Sequence, residues 1–104
     1  MKIIALKLTT GEDVLGEDVS EELSQKFKLK NAVAIVISRG KDGGPVVGFA
    51  PFPPFSNTEE KNKEISLDKN QVVYYYEPAQ DFINNYNQVF GSGIVLPTKQ
   101  LITG

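Results

Sequence analysis

Two glycines five residues apart, Gly11 and Gly16, constrain the fold of this chain more than any other feature. Before Gly11, the stretch KIIALKL places Ile4, Leu6 and Leu8 at every second residue, the period of a half-buried strand. Gly11 closes a Thr-Thr-Gly turn in which glycine readily takes a positive φ, so the following EDVLGEDV predicts a hairpin partner. Gly16 lies inside that second strand, where a regular strand would put its two valines on opposite faces. We therefore predict a bend or bulge at Gly16.

The chain length and apolar pattern indicate one small globular domain. The 104 residues suffice for a single modest core, and we expect one domain over residues 1–104. Apolar runs stay well short of the ~18–20 residues that cross a bilayer, and Lys7 interrupts the N-terminal run. We expect neither a membrane segment nor a signal peptide, and a cytoplasmic location (the host cytoplasm if the protein is viral).

Cysteine and histidine are both absent from the sequence. Disulfides, thiolate metal sites, histidine-ligated metals and Ser-His-Asp or Cys-His catalysis are thereby excluded. The carboxylates come as sequence neighbours, such as Glu12 and Asp13, which a strand would point to opposite faces. We expect no enzyme activity, no cofactor, no bound metal and no small-molecule substrate.

The net charge of −2 conceals two blocks of opposite sign. Residues 11–22 carry six carboxylates and no cation, whereas residues 26–41 carry five cations and no carboxylate. If the two blocks lie on adjacent strands, they face each other as complementary surface charges.

A long strand and two shorter segments follow the hairpin. The run FKLKNAVAIVIS is long enough to be curved or shared between two sheets, and period two puts five of its apolar residues on one face: Phe27, Leu29, Val33, Ile35 and Ile37. The prolines in VVGFAPFPPF require at least its second half to lie at an edge or to leave the sheet. The run ISLDKNQVVYYY predicts a final pair of strand segments.

Helical periodicity appears only near the C-terminus. Apolar side chains at Phe82, Ile83, Tyr86, Val89 and Phe90 form one stripe and predict a helix over about 79–90. A proline precedes this stretch and a glycine follows it, which are typical start and stop signals. Residues 91–104 predict an extended tail, with a strand-like segment at Ile94–Leu96.

The spacing around the two glycines resembles the first motif of the Sm-like family. In that motif a strand and a Thr-Gly turn are followed by an apolar residue three positions after the glycine and a second glycine five after it, as with Val14 and Gly16 here. The family's Asp, short turn and Asn fall on Glu22, LSQ and Lys26, and its next strand falls on FKLKNA. The second motif falls on ISLDKNQVVYYY, where Asp68 and Lys69 replace Arg-Gly. The layout is similar to that of short Sm-like proteins of marine cyanobacterial phages.

The resemblance implies a mainly β fold: an SH3-type, strongly bent five-stranded antiparallel barrel over about residues 2–77, with a C-terminal helix. It also implies a homo-oligomeric ring of five to seven subunits, the inserted PFPPFSNTEEKNK loop favouring the smaller end. An open apolar edge strand independently invites pairing, and a heterologous contact closes into a ring if the rotation permits. The alternative is a monomer or dimer in which the helix or the GIVLP segment covers that edge.

In the Sm-like family two turns at the ring's pore hold RNA bases. The resemblance transfers this role to five residues of this chain: Ser24, Gln25, Lys26, Lys69 and Asn70. Asp68 departs from the family pattern, and its carboxylate would repel phosphate. The alternative interpretation of all these positions is ordinary polar turn residues.

The tyrosine run of the last strand is the second candidate surface. Tyrosines can stack on bases, but core or interface packing is favoured here, and Phe49, Phe52 and Phe55 have the same interpretation. The predicted oligomer interface comprises Val72, Val73, Tyr74, Tyr75, Tyr76, Phe49 and Phe52. The predicted function is RNA binding, as a chaperone or post-transcriptional regulator of phage or host transcripts. The alternative is a ring that serves protein interaction or assembly without RNA.

Overall fold

The computed structural model describes residues 2–57 and 59–90 and the backbone of residues 101–102. Its elements are β1 (Ile3–Leu8), β2 (Asp13–Asp18), β3 (Lys26–Arg39), β4 (Pro45–Pro51), β5 (Glu64–Asp68), β6 (Val72–Tyr76), α1 (Gln80–Phe90) and β7 (Leu101–Ile102). A 3₁₀ turn, Lys69–Gln71, joins β5 to β6. The predicted tail segment Ile94–Leu96 lies outside the described residues.

All strand pairs are antiparallel and form one sheet in the order β6-β1-β2-β3-β4-β7. The N-terminal half of β3 pairs with β5 and its C-terminal half with β4. The predicted mainly β class and C-terminal helix are confirmed. The predicted five-stranded barrel is wrong: in the described part of the chain, seven strands pair and the sheet stays open. The 14-residue β3 extends beyond β5 into a second hairpin with β4, and β5 and β6 do not pair with each other.

The predicted irregularity at Gly16 is confirmed. The β2–β3 register shifts between Leu15 and Glu17, opposite Asn31, which has a positive φ of 55°. A Cβ atom on Gly16 would lie 3.0 Å from the Cβ atom of Leu29, so any larger residue would require the two strands to shift by a few tenths of an ångström. Asn31 inserts the extra residue, and the side chains of β3 change faces there.

Two hydrophobic cores therefore lie on the two sides of the sheet. The first core comprises Ile4, Leu6, Leu8, Val14, Phe27, Leu29 and Ala32. The second comprises Ile3, Ala5, Leu15, Val33 and Tyr86. The predicted single apolar face of β3 is wrong, because Leu29 and Val33 have the same parity but lie on opposite sides of the bulge.

Helix α1 covers the second core and confirms the predicted helix to within one residue at its start. Tyr86 is completely buried, and its hydroxyl group donates to the carbonyl oxygens of Lys30 (3.0 Å) and Asn31 (2.9 Å). Burial, with the nearby Glu17 carboxylate second, raises the pKa of Tyr86 well above its usual value. Among the described residues, α1 is the only α-helix, and it is too short and too polar to cross a bilayer.

Candidate functional site

Two turns far apart in sequence meet at one end of the sheet. The backbone N–H of Lys69 donates to the carbonyl oxygen of Gln25 over 3.0 Å, and Lys26 lies opposite Asp68 in the β3–β5 ladder. We call these six residues the turn cluster: Ser24, Gln25, Lys26, Asp68, Lys69 and Asn70. The structure thus brings together the two turns that carry the five residues predicted to contact RNA, through this backbone hydrogen bond and the β3–β5 ladder.

Both cations of the turn cluster already have partners. The Nζ atom of Lys26 lies 3.6 Å from Oδ1 of Asp68, and the backbone N–H of Lys26 donates to the hydroxyl of Ser24 over 3.1 Å. This ion pair is more than half exposed, so it contributes little to stability and a phosphate group can compete for the ammonium. The Nζ atom of Lys69 lies 5.5 Å from the centre of the Phe27 ring, within cation–π range.

An open groove of about 660 Å³ lies beside the turn cluster, and we call it the acidic groove. Buried Phe27 and Ile4 contribute to its lining, and β6 forms one wall. Its charged lining residues are Asp18, Glu21, Glu22, Lys2 and Lys69. Because carboxylates outnumber ammonium groups, the groove itself favours a cation over a phosphate.

Strand β6 presents a free edge. It pairs with β1 on one side, and no described strand lies on its other side. Val73, Tyr74 and Tyr75 are each more than half exposed, and Tyr75 at 65% is the most open of the three. Apolar side chains this exposed on an unpaired edge favour an interface over core packing.

The predicted interface phenylalanines have different environments. Phe52 packs against the first core and Phe49 against the second, and both are half-buried. Phe55 is completely exposed. The sequence predicted core or interface packing for all three rings. Of the three, only Phe55 is fully available to a partner in the structure.

Strand β5 presents a second free edge, which sequence reasoning missed. It pairs with β3 alone among the described strands, and its apolar residues Ile65 and Leu67 are only half-buried. The signal was present in the alternation of EISLD, whose apolar side chains recur at period two.

Among the described residues, one ion pair joins the two charge blocks, and two others join the basic block to β5. Glu17 lies 3.3 Å from Lys30 across β2 and β3, as predicted. Lys28 pairs instead with Glu64 of β5, at 3.8 Å. Most of the basic block of β3 is therefore already compensated within the subunit.

A polar network ties β6 to the first hairpin. The hydroxyl of Tyr76 donates to Oδ1 of Asp13 over 3.1 Å, and Nζ of Lys7 lies 3.2 Å from Oδ2 of the same carboxylate. Burial, followed by the negative charge of Asp13, raises the pKa of Tyr76 to about 12.

Comparison with protein-family models and with curated proteins found no match. Within the described ranges, no three carboxylates converge closely enough to hold a metal ion.

Proposed function

We propose that this chain is an Sm-like subunit that assembles edge to edge into a homo-oligomeric ring and binds single-stranded RNA at the turn cluster. Five segments support the Sm-like assignment: β6, β1, β2, the N-terminal half of β3, and β5 lie in that spatial order. The 3₁₀ turn between β5 and β6 carries the chain from one end of this order to the other. The β3–β4 hairpin and β7 are additions to it.

The observation that supports assembly most strongly is the match between the free edges of β5 and β6. Strands β5 and β6 each have five residues. An antiparallel pairing with Glu64 opposite Tyr76 places Ile65 opposite Tyr75. Ile65 and Leu67 pack toward the first core, and Tyr75 contacts Phe27 of that core with ring centres 5.6 Å apart. Ile65 and Tyr75 therefore share the first-core face and stabilise the pair. Nearer the 3₁₀ turn, β6 shifts its register against β1, and Val72 rather than Val73 packs against the first core.

Light scattering tests the assembly. We expect a particle whose mass is a multiple of the 11.5 kDa subunit, and a shift to monomer when Tyr75 is replaced by Arg. Ile37→Arg is the control, because Ile37 is 73% exposed but lies on the β3–β4 hairpin. A wild-type protein that remains monomeric at high micromolar concentration contradicts the proposal.

The RNA part of the proposal depends on the convergence of the two turns. Gln25 and Asn70 can bond base edges, and Lys69 and Lys26 can bind phosphate. We expect fluorescence anisotropy to show binding of short U-rich or A-rich RNA that weakens steeply with salt. Lys69→Gln should weaken it, whereas Lys41→Gln, on the exposed tip between β3 and β4, should not.

The acidic groove favours a second candidate, a ring that binds proteins rather than RNA. Asp68 already engages Lys26, and the groove beside them carries an excess of carboxylates. If no RNA binds at low micromolar protein and low salt while the ring forms, this second function replaces the first.

A further inference from the structure

The turn after β4 presents the most exposed aromatic ring in the described part of the chain. Phe55 is completely exposed, and the turn that carries it is closed by a hydrogen bond from the backbone N–H of Ser56 to the carbonyl oxygen of Pro53, at 3.0 Å. The ammonium group of Lys63 donates to the hydroxyl of Ser56. This contact holds the Phe55 turn beside the residue that precedes β5.

The loop that carries the Phe55 turn connects β4 and β5, which both pair with the same edge of β3. Strand β4 ends with Pro51 opposite Val33, and β5 begins with Glu64 opposite Lys30. The chain therefore leaves and rejoins β3 at nearly the same place, and the intervening loop stands on the outer side of β3, where β4 and β5 both lie.

The register between the two free edges brings opposite charges together one step beyond the strands. If Glu64 lies opposite Tyr76, then Lys63 lies opposite Glu77. Glu77 is exposed and has no ion pair within the described residues. Lys63 and Glu77 lie directly beyond the ends of β5 and β6, so the charged pair would extend the interface by one step.

We propose that the Phe55 turn of one subunit clasps the end of β6 in the next. Lys63 pairs with Glu77 of the partner subunit, and Phe55 packs against Tyr75 of the partner subunit. This inference rests on the proposed β5–β6 assembly and adds to it a contact made by the inserted loop. In this arrangement, the exposed side chain of Tyr75 is covered by a second copy of this chain.

Charge reversal tests the pairing. The variants are Lys63→Glu, Glu77→Lys and the double variant, and sedimentation at several concentrations measures subunit dissociation. Each single variant places like charges opposite each other at every interface, and we expect the dissociation midpoint to rise about three- to tenfold. The double variant restores attraction and should return within about twofold of wild type. Lys61→Glu is the matched control, since Lys61 is exposed on the same loop but lies outside the register.

A second pair of variants tests the aromatic contact. Phe55→Ser should raise the midpoint, whereas Ile37→Ser, which also removes an exposed apolar side chain, should not. Circular dichroism verifies that each variant is folded.

The outcomes separate this inference from the assembly on which it rests. A monomeric wild-type protein overturns both. A wild-type oligomer whose midpoint is unchanged in the single charge variants, or is not restored in the double variant, overturns the Lys63–Glu77 pairing alone. An unchanged midpoint in Phe55→Ser overturns the aromatic contact.

Discussion

The hydroxyl oxygen of Tyr86 lies 2.9 Å from the carbonyl oxygen of Asn31, the residue at which β3 crosses from one core to the other. The helix is therefore docked onto the one irregular point of the longest strand. A bulge frees backbone groups from the ladder, and here a buried side chain satisfies them.

Removal of this hydroxyl group should destabilise the fold. In Tyr86→Phe the carbonyl groups of Lys30 and Asn31 lose a buried donor, and we expect the free energy of unfolding to fall by about 1–3 kcal/mol. Urea denaturation followed by circular dichroism measures the change. Tyr74→Phe is the control, because Tyr74 is 53% exposed; equal stability of the two variants contradicts the docking argument.

A methyl group at Gly16 should disturb the closest strand approach. The added Cβ atom would lie 3.0 Å from the Cβ atom of Leu29, which is completely buried. Gly16→Ala should therefore lower the free energy of unfolding by about 1–3 kcal/mol. Gly44→Ala serves for comparison, because its new Cβ atom would meet only the side chain of Asp42, at 3.3 Å. Gly16→Ala should have a clearly lower melting temperature than Gly44→Ala. Similar melting temperatures would show that β2 and β3 accommodate the added methyl group at little cost.

The left-handed backbone at Asn31 predicts an unusual order of substitutions. Asn31→Val should destabilise by about 1–2 kcal/mol, because a β-branched residue resists a positive φ, whereas Asn31→Gly should be nearly neutral. Thermal unfolding of both variants measures the order. Greater stability of the valine variant would mean that β3 runs through this point as a regular strand.

Alkaline pH should weaken the fold partly through Tyr76. Its folded-state pKa is raised to about 12 from the usual tyrosine value of 10.0, so the unfolded chain releases this proton first. The stabilising contribution is complete below about pH 10 and is lost as the pH rises toward 12. Denaturant midpoints at pH 9, 10 and 11 should fall less steeply in Tyr76→Phe than in wild type. If the denaturant midpoints of Tyr76→Phe and wild type fell equally steeply with pH, Tyr76 would not contribute to the alkaline loss of stability.

The hairpin, the Gly16 irregularity and the C-terminal helix could be predicted because each depends on local spacing. Apolar residues at every second position identified β1, and the apolar stripe from Phe82 to Phe90 identified α1. The bulge was identified because the two valines on either side of Gly16 would point to opposite faces of a regular strand. The change of face at Asn31 could not be predicted, because Leu29 and Val33 keep the same parity in sequence. An asparagine within a strand does not indicate that it will take a positive φ.

The candidate site was predicted unevenly for a similar reason. The resemblance placed Gln25 and Lys69 at the same end of the fold, where the structure places them in contact. The compensation of Lys26 by Asp68 and the free edge of β5 depend on which strands pair side by side. Strands about forty residues apart in sequence pair because of how the whole sheet packs. The residues around any one position therefore do not indicate which strand will lie beside it.

Because β3 supplies side chains to the layers on both of its faces, loosening of one layer must strain the other through the shared backbone. The subunit should therefore melt in a single cooperative step. The slowest amide protons to exchange with heavy water should be those of β3 on either side of Asn31.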